Sequence, residues 1–491
     1  MAQIKTVTTT LDSLPAGAGP SVLENGKLRK APVPEGVHRK QLLRDIILIA
    51  WPSLVELLLT QLTSMADQVM VGRLPGQEGI VALSAVGLAT QPKFLLMTMV
   101  MALNVGATAV IARFRGQQNQ EKARQAFRQM LLLNIAVGAV FMVLGLTFAP
   151  QLIRLMSGTG ISDDTYQAAI RYLNIQLIGF IPLAMTSTVT ASLRGIGDSR
   201  TPMLYNTVAN VVNVILNYVM IYGKLGCPAM GVDGASWATV IGQTVACAIA
   251  LGVVFSGKHY MYFDLRKVRE TDKKSLSDVV NVGLPAMVEQ LFMRAGVMIF
   301  TRAIAGLGDT LYATHQICMS VQALSFMMGQ AFAASATTLM GQSLGKRRED
   351  MADVYMRSTL RVGIIASVVL GILITVFNKQ LVWIYNTDPD VIAAGSGIMI
   401  LIAVSQPLQA VQFIVSGGLR GAGDTRYTAF VIMITTLGVR SVLAVLLVTW
   451  LQWGLWGAWI ALMLDQVLRT VLMVARYGTG KWVQIWGARK K

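Results

Sequence analysis

An acidic side chain inside a long apolar run costs about 2.5–3.5 kcal/mol on membrane-insertion scales, so it tends to face a water-filled cavity or a partner. Asp67 is such a residue. Glu56 stands three turns earlier, and at about 100° per residue the two fall near one helix face with Thr60 and Thr63 between them. This polar stripe can line a cavity with titratable carboxylates. The alternative is that Asp67 caps a helix end near Gly72 or sits in a fixed salt bridge. Glu289 and Gln290 repeat the arrangement, because Glu56 and Glu289 each follow a proline by four residues. Two carboxylates facing a shared cleft could take an organic cation or protons in turn. Otherwise Glu289 pairs with Arg294 or Arg302. His315, with Gln316 beside it and Gln322 two turns on, can titrate near physiological pH; a lone histidine can equally be a packed, hydrogen-bonded residue. Asp465 and Arg469 share a helix face at i, i+4, and Arg440 precedes them on the neighbouring run. Unpaired burial of these three charges would be costly, which predicts a structural ion network.

These residues must be held by membrane helices. The chain has 491 residues, 54% of them hydrophobic and only 14% charged. Its mean hydropathy is +0.56. A span needs roughly 20 apolar residues, and about twelve such runs can be counted between residues 46 and 476. The ten-residue alternation of an outer-membrane barrel is absent. The fold class expected is all-α integral membrane, with twelve transmembrane helices in two pseudo-symmetric six-helix bundles around a central cleft. Residues 1–44 are expected to be a mobile cytoplasmic tail without a signal peptide. Residues 45–257 form the first half, 258–277 a cytoplasmic linker, 278–476 the second half and 477–491 a basic cytoplasmic tail.

The net charge of +17 is distributed as topology demands. Lys and Arg gather in the N-terminal segment, in alternate loops and at the C-terminus, while intervening loops carry Asp163, Asp164, Asp388 and Asp390. This positive-inside pattern puts both termini in the cytoplasm of a multi-pass cell-membrane protein. It accounts for the basic excess through topology and attraction to anionic lipid, with no nucleic-acid partner. Cys227, Cys247 and Cys318 have no paired spacing, so neither disulfides nor a zinc site are expected.

The two halves are a repeat. Trp51-Pro-Ser-Leu-Val-Glu56-Leu resembles Leu284-Pro-Ala-Met-Val-Glu289-Gln. Ala107-Thr108 and Gly116 match Ala336-Thr337 and Gly345. Leu193-Arg-Gly-Ile-Gly-Asp198-Ser-Arg200 matches Leu419-Arg-Gly-Ala-Gly-Asp424-Thr-Arg426, and Gly231-Val-Asp-Gly-Ala resembles Gly454-Leu-Trp-Gly-Ala. Landmarks in the same order, displaced by about 223–233 positions, mark parallel repeats of six spans. Transporters are commonly built so, with substrate bound at the repeat interface.

The repeated Leu-Arg-Gly-x-Gly-Asp-x-Arg loop, the Pro52 span ending in Asp67-Gln-Val-Met-Val-Gly72-Arg-Leu, and Ala313-Thr-His315-Gln316-Ile317 together resemble the multidrug and toxic compound extrusion (MATE) family. The resemblance runs from about residue 44 through nearly the whole chain. It implies a secondary antiporter that expels organic, often cationic, small molecules in exchange for protons or sodium ions, acting as a monomer. It also implies that Asp67 couples to the ion together with Asn213 and Asn217 on the fifth span, with Thr239 on the sixth as a further member. One branch of the family has an aspartate at the Asn217 position; a site with a single carboxylate leans to protons over a bare sodium ion. No cofactor, resident metal, Walker motif or nucleophile–base constellation is expected, so the chain is not read as an enzyme. A lipid-linked sugar flippase is the alternative, for which Arg294, Arg302 and Arg440 would supply cationic contacts. In the second half Phe300 stands where the first has Asp67, which predicts ion coupling mainly in the first half.

Overall fold

A backbone crossing hydrocarbon must satisfy its own polar groups, so each long apolar run has to fold as a helix. The computed structural model of the chain describes residues 10, 22–24, 27–34, 37–72, 74–75, 77–156, 163–257, 260–263, 273–305, 307, 309–384 and 389–488. The helices in order are α1 (Arg39–Gly72), α2 (Gln77–Gly116), α3 (Gln120–Met156), α4 (Asp163–Ile178), α5 (Phe180–Gly195), α6 (Arg200–Tyr222) and α7 (Gly231–Phe255). Then follow α8 (Lys273–Ala305), α9 (Asp309–Gly345), α10 (Glu349–Val376), the short α11 (Asn378–Trp383), α12 (Pro389–Gly421), α13 (Thr425–Met433), α14 (Val442–Val445), α15 (Gly454–Gly478) and α16 (Lys481–Ala488). Among the described residues nine helices are long and apolar enough to cross a membrane, and α4 with α5 makes a tenth, bent by 48°. The helices that open each half, α1 and α8, have 34 and 33 residues and carry Pro52 and Pro285. With them the layout is consistent with twelve crossings in an all-α membrane protein.

The α4–α5 bend has a local cause. Pro182 offers no N–H to the carbonyl of Ile178 and crowds it, so the helix breaks between Ile178 and Phe180. The eleventh run is also irregular. It passes from α13 into wider π-helical turns at Ile434–Ser441 and again at Leu446–Trp450. Ser441 Oγ donates to the Thr436 carbonyl at 3.0 Å inside the first π segment, and also lies 3.3 Å from the carbonyl of Gly296 on α8.

The chain folds as two compact units. One contains Val55–Ile111 and Gln120–Val280; the other contains Val7–Leu54, Ala112–Asn119 and Asn281–Lys491. The first packs α2, α3, α4, α5 and α7 around fully buried Leu173, Leu177 and Phe180. In the second, Trp459 on α15 centres one apolar cluster, and Trp482 on α16 belongs to another with Leu339, Met340 and Tyr355.

For the described residues 22–24, 27–34 and 37–44, that second cluster replaces the expected mobile tail with packed chain. Val22 and Ala31 are buried in it, beside Leu42, Ile46 and Ile49 of α1. Leu23–Glu24 pairs antiparallel with Lys27–Leu28. The Ala31 N–H donates to Asp353 Oδ2 at 3.0 Å, and Arg357, itself paired with Asp353 at 2.7 Å, donates to the Ala31 carbonyl. Asp45 accepts the Tyr355 hydroxyl and the Thr10 N–H, each at 2.7 Å. Apolar patterning is weak in this segment, so its anchoring by acids of α10 and α1 leaves no periodicity to read.

Close approach at the ends of α2 and α9 depends on two glycines. A Cβ on Gly116 would stand 2.0 Å from the Gln342 carbonyl oxygen and 2.8 Å from the Gly345 Cα. A Cβ on Gly345 would stand 2.2 Å from the Arg113 carbonyl oxygen and 2.8 Å from the Gly116 Cα. Both helix ends belong to the second unit.

Candidate functional site

Asp67 lies near the end of α1, half-buried, and side-chain amides of α6 approach it. Asn213 and Asn217, one turn apart on α6, are buried at 5% and 0% exposure. Asn217 donates its side-chain amide to Asp67 Oδ1. The same amide lies 3.2 Å from Asn213 Oδ1, and Asn213 donates to Thr239 Oγ1 at 3.3 Å. The Thr239 hydroxyl in turn donates to the Ala235 carbonyl of its own helix at 3.0 Å. Hydrogen bonds donated outward from Asn217 thus reach the α1 carboxylate on one side and, through Asn213, Thr239 of α7 on the other, and they bring together all four residues expected to bear on ion coupling. Gly242 permits this: a Cβ there would stand 3.1 Å from both the Ala209 carbonyl oxygen and the Asn213 Cβ, so α7 can lie close to α6 at the asparagine.

A fifth polar residue escapes the sequence reading. Lys93 follows Pro92 inside α2 and donates to Gln176 Oε1 on α4 at 2.7 Å. One turn before Gln176, the Tyr172 hydroxyl lies beside the Gln176 amide. Lys93 and Asp67 are close enough for each to act electrostatically on the other. The signal was available as a lysine in the middle of an apolar run.

The paired glutamates have partners within their own units. Arg194, at the end of α5, closes a 2.6 Å salt bridge with Glu56, whose other oxygen accepts the Asn206 amide at 2.8 Å. Thr60 turns its hydroxyl back to the Glu56 carbonyl at 2.8 Å, which is how the polar stripe continues toward Asp67. Arg420, at the end of α12, pairs with Glu289. Arg194 and Arg420 are the arginines of the repeated Leu-Arg-Gly-x-Gly-Asp loop, so that loop is the origin of both partners. For Glu289 the expected partners were Arg294 or Arg302. Arg420 takes that place, and the Arg302 side chain lies outside the described residues. Glu289 is buried at 2% exposure, and its neighbour Gln290 is half-buried.

His315 is buried at 2%, with its ring 5.7 Å from that of Phe300 and 5.6 Å from that of Trp459. Aromatic packing on two sides is a fixed environment for an imidazole; the Gln316 side chain lies outside the described residues. Asp465, fully buried, is held by Arg440 at 2.8 Å and Arg469 at 2.8 Å, while Arg469 also donates to Thr435 and Thr436 of the π segment. The guanidinium of Arg440 lies over the Phe300 ring, 5.8 Å from its centroid. At the repeat position of Asp67 the second unit thus carries Phe300, whose ring lies beside the Arg440–Asp465–Arg469 ion network. Among the described residues no three His, Cys, Asp or Glu side chains converge as a metal site.

Against this geometry, the family model MatE matches residues 52–219 and 285–446. A probable multidrug resistance protein NorM from Thermotoga maritima is 30% identical over 440 residues, covering 89% of this chain and 93% of its own length. The multidrug resistance protein PmpM from Pseudomonas aeruginosa is 26% identical, covering 83% of this chain and 84% of its own. A crystal structure of a MATE protein in a bent conformation superposes with a TM-score of 0.82 at 21% identity, over 93% of this chain and all of that one. An outward-facing MATE family transporter gives 0.81 at 22% identity, over 94% of this chain and 99% of the other.

Proposed function

The chain belongs to the multidrug and toxic compound extrusion family, and on that premise we propose that it is a secondary active exporter of organic, mainly cationic, small molecules. Exchange with protons or sodium ions drives it by alternating access, with Asp67 as the ion-coupling carboxylate. The observation that carries this is the hydrogen-bonded chain linking Thr239, Asn213, Asn217 and Asp67 on three long helices. It holds the carboxylate by side-chain amide groups, whereas arginines engage Glu56 and Glu289 directly. Relatives named as multidrug resistance proteins support the cargo class. The flippase alternative loses one support, because Arg440 is tied into a buried ion network with Asp465 and Arg469.

The test is efflux of a fluorescent cationic dye from energised everted vesicles or proteoliposomes, together with a drug-susceptibility panel in an efflux-deficient strain. Asp67→Asn is expected to fold and to lose ion-coupled transport. Full coupled efflux by a folded Asp67→Asn variant sinks the assignment.

A further inference from the structure

A short loop fixes where two helices meet, but their rotation against each other is set by the side chains that touch beyond it. α5 and α6 are joined by such a loop. In it Asp198 accepts the Arg200 and Thr201 N–H groups at 3.1 Å and the Thr201 hydroxyl at 2.7 Å. About one and a half turns away on each side, Thr190 Oγ1 and the Tyr205 hydroxyl lie 2.5 Å apart, both buried. This bond is a rung between the two helices. Burying two hydroxyls carries a desolvation cost that a pair of apolar side chains would avoid, so the rung calls for a reason beyond packing.

Its neighbours supply one. Arg194 stands one turn beyond Thr190 on α5, and Asn206 follows Tyr205 on α6. Both end on Glu56, one on each carboxylate oxygen, at 2.6 and 2.8 Å. The rung therefore sets the spacing of the two groups that grip a single carboxylate.

The second unit shows the same helices without it. The repeated Leu-Arg-Gly-x-Gly-Asp-x-Arg loop gives one register for both helices, in which Thr190, Arg194, Tyr205 and Asn206 correspond to Ser416, Arg420, Val431 and Ile432. Arg420 still pairs with Glu289. Ser416 turns its hydroxyl to the Phe413 carbonyl of its own helix at 3.3 Å, and Val431 and Ile432 are buried in an apolar cluster. No second donor from the described residues reaches the other oxygen of Glu289. The rung and the second grip are present together in one half and lost together in the other.

We propose that Thr190 and Tyr205 are positioning residues, whose hydrogen bond aligns Arg194 and Asn206 so that Glu56 is held on both oxygens as a fixed anion, withheld from exchange with protons or cargo. Glu289, held on one oxygen, lacks that restraint. The inference goes beyond the coupling role of Asp67 and does not depend on it.

The test compares Tyr205→Phe, Arg194→Gln and the double variant by thermal midpoint and by initial dye efflux from proteoliposomes. Phenylalanine keeps the ring and removes only the hydroxyl. Tyr205→Phe should lower efflux roughly two- to fivefold, with a fall in midpoint, as loss of one interhelical hydrogen bond in a membrane does to an equilibrium. In the Arg194→Gln background, where the grip is already broken, the same change should cost less than half as much in either measurement. Strictly additive losses, the behaviour of independent sites, overturn the proposal, and so does wild-type behaviour of Tyr205→Phe. Should Tyr205→Phe fail to fold, Thr190→Ser and Thr190→Val decide. Serine keeps the hydroxyl and should retain wild-type midpoint and efflux; valine keeps the shape and should lose both. Equal behaviour of the two overturns the proposal. Failure of the Asp67 assignment is separate, because it appears as coupled efflux by Asp67→Asn and leaves the comparison at Tyr205 and Arg194 unchanged.

Discussion

Asn217 donates its amide to Asp67 across 150 residues of sequence, and the same residue is itself oriented by Asn213 one turn earlier. Hydrogen bonds to ionised groups contribute about 1.5–3 kcal/mol. Asn217→Leu, similar in size and without a donor, should therefore reduce efflux at a limiting ion gradient by roughly ten- to a hundredfold. Asn213→Ala leaves the Asn217 donor to Asp67 in place and should reduce it less. Initial rates of dye efflux against the imposed gradient check both, and an Asn217→Leu rate equal to wild type would remove Asn217 from the site.

The Glu56–Arg194 pair is partly buried, with side-chain exposures of 10% and 23%. Truncating one partner of such a pair costs about 2 kcal/mol or more, largely because the other charge is stranded. Arg194→Gln and Glu56→Gln should each lower the thermal midpoint of the detergent-solubilised protein. The double variant should lose less than the two single losses together. Strict additivity would mean the two charges do not depend on each other.

A larger effect belongs to Asp465, which is fully buried between two arginines. Asp465→Asn leaves both guanidinium groups without their counter-ion, at about 3–5 kcal/mol. Loss of the monodisperse peak in fluorescence-detected size exclusion is the expected result. His315→Gln, which removes ring packing against Phe300 and Trp459 but keeps a polar side chain, should be far milder, with dye efflux across pH unchanged from wild type.

The sequence made the helices legible because lipid leaves the backbone no other solution, and it made Asp67 legible because a carboxylate is conspicuous among apolar residues. Arg440, Asp465 and Arg469 were readable for the same reason. The sequence reading names no partner for Glu56 and offers Arg294 or Arg302 for Glu289, although the signal for Arg194 and Arg420 existed. A glutamate after proline and an arginine before Gly-x-Gly-Asp recur together in both halves, and two opposite charges that repeat together are candidates for one another. Lys93 was hidden by averaging over its apolar run. The packed N-terminal segment could not have been read, since its hold consists of backbone groups meeting Asp353, Arg357 and Asp45 rather than an apolar stripe.

Gly345→Ala should be as damaging as a core deletion despite adding a single methyl group. The new Cβ would lie 2.2 Å from a backbone oxygen, so a helix and not a flexible side chain has to move. Overpacking of this kind costs typically about 1–3 kcal/mol. The thermal midpoint should fall by several degrees for Gly345→Ala, and by a similar amount for Gly116→Ala.

The two glycines occupy equivalent places in the repeat, and so do the residues they rest on, Arg113 and Gln342. Residue i touches j and j touches i, which is the logic of an isologous interface between identical subunits, written here within one polypeptide. Such a joint inherits the constraint of a homodimer without its redundancy. In a dimer one mutation alters both sides at once, whereas here each glycine can change alone. The first change breaks the self-complementarity, and the second must be tolerated on an already altered partner. The repeats are therefore free to diverge in chemistry, as Asp67 and Phe300 have, everywhere except where each forms the other's surface.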